Sequence, residues 1–563
     1  MSSPSTSHGT VDGRQVSFIY QPGEGGTSKA LRWIDESQAE TTVDDADVVA
    51  ALPVQPDSTS ECSVLYVVRN DAAEDDKTAS PVLLRSCIAT NLPEQFLNDY
   101  RPSEPVFWGH SHTAGSDDRS RMHVVASTGS GTQQAASVWE WVLKPLLDLL
   151  MITQHAHYKL HYTSSEHTIT DLTKELFLPE ANRGVDQAII LLSGDGGMVD
   201  LVDGLTAVER SRNYVKPNVT LLPLGTGNAL AHSSGITADN TMGLKTLLQG
   251  YSRELPVFRV TFSPGARSLA NHGTKELKLR EVAGTPVLHG AVVASWGLHS
   301  TLVADSDTPE YRKFGAERFQ MAGKELLYPA DGLPAHAFRG RLSVLRPSMD
   351  TKDDWQAIER QTHGYVLATF CSQLEKGFTI SPASKPLDGK LRLIHFGPLE
   401  GDAAMGIMTA AYQGGKHVEN PEVGYEEIEG LRIEFDEDDG RWRRVCIDGK
   451  IIRVEEGGWM EVRAGVKGVV NLSASQQQTP QTKSSTMSAP QQGRQSPEPE
   501  RQADKQVHAP PATDVNNQNQ GPGEKAADVS KDQLSGLSSN PKGPLEDAAA
   551  AKTEKTDGKG SAA

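Results

Sequence analysis

Two hydrophobic periods run along this chain, and they divide it. In its second quarter, short apolar stretches alternate with helical spacing. Met122–Ala126 reads as a strand, a helical run follows over Ala135–Leu150, and Ala188–Leu192 is apolar without a break. An unbroken run of that length suits a strand covered on both faces. Val219–Pro223 is a further strand of this kind. Gln154–Tyr162 alternates with period two, with His155, His157, Lys159 and His161 on one face and Ala156, Tyr158, Leu160 and Tyr162 on the other. Strands interleaved with helices predict a parallel sheet with helical crossovers. From about Arg259 to Ala464 the pattern changes to short strands separated by turns: Val287–Ser295, Arg339–Leu345, Gly364–Cys371, Leu391–Phe396, Gly430–Phe435, Val445–Ile447 and Gly458–Arg463. These predict an antiparallel sandwich. In the first 120 residues, Val16–Tyr20, Ser63–Arg69 and Val82–Ala89 read as strands of a small β-rich module whose role is not legible.

The 563 residues leave room for two or three domains. The expected fold class is α/β plus all-β. A β-rich module covers 1–118, a Rossmann-like α/β domain 119–258, and an antiparallel β-sandwich 259–470. A disordered tail covers 475–563, because Ser475–Ala563 has nine prolines and no Phe, Trp, Tyr, Ile or Cys. Such a segment buries too little apolar surface to offset its ordering entropy. The formal net charge is −18, and the tail, with ten basic and eleven acidic residues, contributes almost none of it. That sign argues against a nucleic-acid-coating protein. Cys62, Cys87, Cys371 and Cys446 form no C-x-x-C pair. This excludes a disulfide scaffold and suits a reducing compartment. No apolar stretch approaches the roughly 18 residues of a membrane span, and Met1–Thr10 has no apolar secretory core. The expected location is cytoplasmic, with peripheral contact to membranes.

The chemistry concentrates in turns. Ser193-Gly-Asp-Gly-Gly197 follows the buried strand and opens a helix, since Met198, Leu201, Val202 and Leu205 share one apolar face. A strand, a glycine-rich turn and a helix present backbone N–H groups to an anion. Asp195 would repel a bare phosphate, so it implies a bridging metal or a proton acceptor there. The plainer account is a Gly-Asp turn that caps a helix. Pro223–Ala231 repeats the arrangement with Gly225, Thr226, Gly227 and Asn228, and Ser127–Thr132 supplies a third turn. Three such turns after three strands gather at the carboxyl edge of one sheet, where open α/β sheets bind ligands. The P-loop and dinucleotide signatures are absent. The histidines 155, 157 and 161 fit a polar strand face better than a metal site. Arg441-Trp-Arg-Arg444 is a candidate for docking on anionic headgroups.

Ser-Gly-Asp-Gly before a helix, and Gly225-Thr-Gly-Asn-Ala-Leu-Ala231, resemble the diacylglycerol-kinase-type catalytic domain of lipid kinases. The branch most resembled is that of sphingosine, or long-chain base, kinases. Ser295-Trp-Gly-Leu and Ala304-Asp-Ser-Asp-Thr-Pro-Glu-Tyr-Arg-Lys-Phe-Gly-Ala-Glu-Arg-Phe319 are similar to that branch's headgroup segment. The resemblance implies an ATP- and Mg²⁺-dependent kinase of a lipid hydroxyl. Its nucleotide set would be Ser127, Gly129, Ser130, Gly131, Thr163, Ser193, Gly194, Asp195, Gly196, Gly225, Thr226, Gly227, Asn228, Arg312, Arg318, Asp448 and Gly449. Asp195 would act with magnesium or as base. Asp307, or else Asp305, would take the lipid head, with Ser295 beside it. A headgroup carboxylate suits the cationic amine of a sphingoid base. Diacylglycerol or ceramide is the alternative acceptor, and a catalytically silent lipid-binding or scaffold protein is the alternative of another class.

The chain departs from the family pattern in the spacing of Trp296 and Asp305, which four additional residues separate, and in four motifs. Ser127-Thr128 stands for Asn-Pro, Gly197 for a threonine, Asp200 for a glutamate, and Asp448-Gly449-Lys450 for Asp-Gly-Glu. Lys450 puts a base where the family has an acid.

Overall fold

Ile189–Leu192 carries no polar residue because both faces of its strand are covered. The strand Ala188–Ser193 lies between Met122–Ala126 and Asn218–Pro223, parallel to both. Val125, Ile189, Leu191, Val219 and Leu221 face one apolar core. Val124, Ala126, Ile190, Leu192 and Leu222 face another. The computed structural model describes residues 5–21, 29–55, 60–76, 78–102, 122–271, 273–315, 317–330, 332–348 and 354–475.

The α/β sheet has six strands in the order Tyr251–Glu254, Asn471–Ala474, Asn218–Pro223, Ala188–Ser193, Met122–Ala126, Tyr158–Tyr162. Every neighbouring pair is parallel except the first. Asn471–Ala474 is unanticipated. The sequence reading ends the β-sandwich at 470 and begins a tail at 475, yet these four residues return to the α/β sheet beside Asn218 and Val219. The disorder expected from 476 onward lies outside the described residues.

The helical run 135–149 contains a π-helical turn at Trp139–Leu143. Val138, Trp139, Val142, Leu143, Leu146 and Leu147 are all buried. A helix buried this widely needs cover on two sides. The sheet covers one side, and Val49, Ala50, Leu65 and Val67 of the N-terminal strands share the same core on the other. Those strands form a seven-stranded antiparallel sheet. It has its own core, in which the helix Glu94–Tyr100 sets Phe96 and Tyr100 against Phe18 and Tyr20. Gln249 ties this module to the α/β unit by donating to the carbonyls of Val49 and Tyr100 at 3.1 Å each.

Residues 257–466 build two eight-stranded sheets, antiparallel throughout. Their inner faces meet across one apolar core. Phe258, Val260, Leu342, Ile433 and Val462 come from one sheet, and Trp296, Val366, Leu393, Val445 and Ile452 from the other. The second sheet is also covered on its outer face: Val293, Tyr365, Leu367, Ile394 and Phe396 belong to the core that holds Leu191 and Met198. This explains why Tyr365–Thr369 and Leu391–Phe396 are buried at every position, although antiparallel strands usually alternate.

One expected strand is corrected. Val287–Ser295 is two strands, Thr285–Gly290 and Val293–Gly297, in different sheets. The break has a cause. The Asp448 carboxylate accepts the backbone N–H groups of Ala291, Val292 and Val293 at 2.6, 3.0 and 2.6 Å, which turns the chain from one sheet to the other.

Candidate active site: three glycine turns in contact

The turns after Met122–Ala126, Ala188–Ser193 and Asn218–Pro223 touch one another. Thr132 N donates to Leu224 O at 3.3 Å, and Gly194 N lies 3.4 Å from Ser130 Oγ. Gly194 and Gly225 pack backbone to backbone, so that a Cβ built on either would fall 2.5 Å from the other's Cα. Gly131, at φ +47°, meets the same place, with an added Cβ 2.2 Å from Leu224 O. No side chain fits at these contacts, which is why the sequence has glycine there. The outer rim is open. Gly129 and Gly196 have no atom within 4 Å of an added Cβ, and Thr226 is exposed.

Asp195 sits at the first position of the helix Asp195–Leu205, and its carboxylate reaches a second helix. Its two oxygens accept Ala229 N at 2.6 Å and Leu230 N at 3.0 Å, at the start of Ala229–Ser233. The capping account therefore holds in a modified form: the aspartate caps its neighbour's helix. Burial pushes this carboxyl up to about 6, against the two amide hydrogen bonds. Asn228, at φ +56°, closes its own turn, accepting Gly225 N and donating to Gly225 O, both at 2.9 Å. Gly227 lies against Leu374 of the β unit. Thr163 holds the first turn from outside, accepting Thr128 N at 3.0 Å.

Ser193 and Gly197 form a matched pair. A Cβ at Gly197 would lie 2.5 Å from Ser193 Oγ and 2.8 Å from Ser193 Cβ, so the serine fills the space that a side chain at 197 needs. Ser193 Oγ is buried with no hydrogen-bond partner among the described residues.

The other candidates lie in the β unit. Asp448 and Gly449 form the tight turn between Arg444–Ile447 and Lys450–Arg453, both at positive φ. Burial drives the Asp448 carboxyl up to about 7 in spite of its three amide donors. Lys450 neither stays free nor stands in the cradle's turns: its ammonium contacts Asp203 and lies 3.3 Å from Asp200. Ser295 Oγ pairs with His299 Nδ1 at 2.7 Å, and burial lowers that histidine to about 4. Asp305 is held by Arg441 and Arg444, at 2.7 Å each. Arg443 is buried, donating to the carbonyls of Glu437, Asp438 and Val454. The basic cluster thus braces the fold where the sequence suggested a headgroup dock. Asp307 has a looser partner, Arg318 at 3.7 Å, and Arg318 stacks over Phe319. Arg318 was expected to face phosphates. The backbone of Arg312 lies in the helix Pro309–Arg312, and its side chain lies outside the described residues.

The histidines 155, 157 and 161 do not converge. His157 accepts Thr153 N in a turn, while His161 faces His123 at 3.2 Å. Among the described residues no three His, Cys, Asp or Glu side chains gather as a metal cage, and no helix is long and apolar enough to cross a membrane. Sequence reasoning missed a cavity of about 270 Å³ bounded by Leu298, Leu327, Leu333, Phe338, Phe396 and Trp442, with Glu325 and Arg441 also on its wall. Its lining comes from segments 140 residues apart, so no local motif marks it.

Comparison finds a match over the segment that holds these turns: residues 121–260 match the model of the diacylglycerol kinase catalytic domain. Among individual proteins, the chain is 22% identical to Sphingosine kinase 1 of Arabidopsis thaliana over 361 residues, 58% of this chain and 66% of that one. It is 22% identical to Sphingosine kinase 2 of the same plant over 350 residues, 56% and 64%. The chain thus spans just under two thirds of the length of these relatives. A solved diacylglycerol kinase from Bacillus anthracis str. Sterne aligns with a TM-score of 0.38 and 12% identity, covering 64% of this chain and 99% of that one.

Proposed function

We propose that the protein is an ATP-dependent lipid kinase and that its acceptor is the primary hydroxyl of a sphingoid base. The observation that carries the reading is the mutual contact of the three glycine turns, with an open backbone rim at Gly129, Gly196 and Thr226. A rim of glycines and one small hydroxyl residue, beside helix N-termini, fits the phosphates of a nucleotide. The α/β unit would then be a Rossmann-like nucleotide domain, and the paired sheets the lipid domain.

Magnesium fits the same rim on different grounds. This ion usually takes one or two carboxylates and completes its shell with phosphate oxygens and water. Asp195 is the one carboxylate within the three turns. Asp195 would hold the ion, which would supply positive charge against the phosphates. The chain's own work is positioning and proton transfer. Ala229 N and Leu230 N fix the Asp195 carboxylate, and its raised pKa of about 6 suits a proton acceptor working near neutrality. Where Asp195 acts as base and does not ligate the ion, it takes the proton of the attacking hydroxyl.

For the acceptor, the apolar cavity offers room for an alkyl chain, and Asp307, half exposed, offers charge for an amine. Asp305 is the poorer headgroup candidate because two guanidinium groups already satisfy it. The names of the two plant relatives point to the same acceptor. The test is phosphate transfer from labelled ATP to equal loadings of sphingosine, phytosphingosine, ceramide and diacylglycerol. Transfer to the two bases, lost in Asp195→Asn, is expected. Transfer only to ceramide or diacylglycerol would reassign the acceptor, and no transfer together with no Mg-ATP binding in calorimetry would overturn the kinase reading.

A further inference from the structure

The helix Asp195–Leu205 begins at the second glycine turn, and the β unit grips it twice. Lys450 reaches its polar flank, contacting Asp203 and lying 3.3 Å from Asp200. Arg280 reaches its far end, donating to the carbonyls of Thr206 at 2.6 Å and Ala207 at 2.8 Å. Two cations from separate strands and turns therefore bind one helix at two levels. The second grip is the informative one. Lys450 alone would be explained as a neutraliser, because Asp200 and Asp203 stand three residues apart on one face and repel each other. The carbonyls that Arg280 binds carry no net charge and need no neutralising. They belong to the C-cap residue Thr206 and to Ala207 just past it, beside the negative end of the helix dipole, where a cation is favoured and can tether. Burial works against the Lys450 charge, but Asp203 and Asp200 outweigh it and hold the ammonium above its ordinary value.

We propose that Lys450 and Arg280 are positioning residues: they lock the helix Asp195–Leu205, and with it the Asp195 carboxylate, to the acceptor-bearing β unit. The catalytic consequence rests on the kinase reading above; the mechanical one does not. Asp195 moves with this helix, and a misplacement of about 1 Å at reacting groups costs up to about a hundredfold in rate. In this chain a base stands where the resembled family has an acid, and the exchange turns the Asp448-Gly449-Lys450 turn into a clasp on the helix.

The experiment compares the full chain with Lys450→Met, Lys450→Arg, Arg280→Met, Arg280→Lys and Lys450→Met/Asp203→Asn. Amide hydrogen exchange is read over residues 195–206, and kcat and KM for ATP are read with sphingosine. Exchange over that segment should rise about tenfold in Lys450→Met and in Arg280→Met, and stay within about twofold of wild type in the two conservative variants. With exchange raised, kcat should fall about tenfold while KM for ATP changes by less than about twofold, the signature of lost transition-state geometry. The Asp203→Asn companion should recover thermal stability without recovering kcat. Unchanged exchange in both Met variants would overturn the proposal, and so would full recovery of kcat by the companion, which would reduce Lys450 to a neutraliser. If the wild-type chain phosphorylates no lipid, the kinase reading falls and the exchange measurement alone decides the clasp.

Discussion

The glycine cradle and the acid-bearing segment 298–318 are built in opposite ways. The cradle is made of backbone. Gly131, Gly194 and Gly225 meet where no Cβ can stand, and each comes from its own short turn. The acid-bearing segment is made of side chains whose partners come from far along the chain, as Asp305 shows with Arg441 and Arg444. A backbone site is rigid and has one geometry. A side-chain site is adjustable; here Asp305 is a quarter exposed and Asp307 about two fifths exposed. On the proposed reading, the backbone site would take the nucleotide and the side-chain site the acceptor.

The sharpest way to break this contrast is at the cradle. Gly194→Ala places a methyl group 2.5 Å from the Gly225 Cα, where only backbone could give way. It should abolish measurable Mg-ATP binding and cost about 3 kcal/mol or more in denaturant unfolding. Gly196→Ala meets nothing within 4 Å and should keep its melting temperature, so any loss of affinity there reports a phosphate at the rim. Equal behaviour of the two variants would dissolve the idea of a backbone-specified site.

The joint between the two β sheets should respond to pH. The folded Asp448 carboxyl sits at about 7, above the value near 4 of an unfolded chain. The native state therefore holds the extra proton between those values. The stability this proton contributes is complete below about pH 4 and is lost as pH rises through 7. Unfolding of wild type and Asp448→Asn by guanidinium at pH 5 and pH 8 should show the wild-type advantage shrinking by a few kcal/mol, on the order of 3. A difference that grows with pH would mean the three amides hold the carboxylate charged.

On the acceptor side the two aspartates should separate. Asp305→Ala strands two guanidinium groups in partly exposed positions and should cost about 1–2 kcal/mol of stability. Asp307→Ala should leave stability within about 0.5 kcal/mol and raise KM for sphingosine about tenfold, with KM for ATP unchanged. The reverse pattern would exchange their roles.

What the sequence made legible follows from range. Leu391–Phe396 and Gly430–Phe435 are strands with the expected ends, because a local apolar pattern bounded by turns was enough. The three turns were visible for the same reason. The break at Ala291 was invisible because its cause is Asp448, more than 150 residues later. Asn471–Ala474 is short, weakly apolar and next to a polar tail, and its place beside Asn218 depends on a pairing some 250 residues apart. The fate of Lys450 could not be read either: its exchange against the family's acid was plain, but its partners were not.

That late strand carries a consequence for biosynthesis. The α/β sheet takes four of its strands from residues 122–223, yet its interior position between Asn218–Pro223 and Tyr251–Glu254 is filled only by Asn471–Ala474. A nascent chain must emerge almost to residue 475 before that sheet can close. Until then the growing polypeptide carries an unpaired β-edge, the feature from which chains zip to one another. Ribosomes stalled between the completion of Tyr251–Glu254 and that of Asn471–Ala474 would hold a chain with its glycine turns already made and its sheet still unsealed.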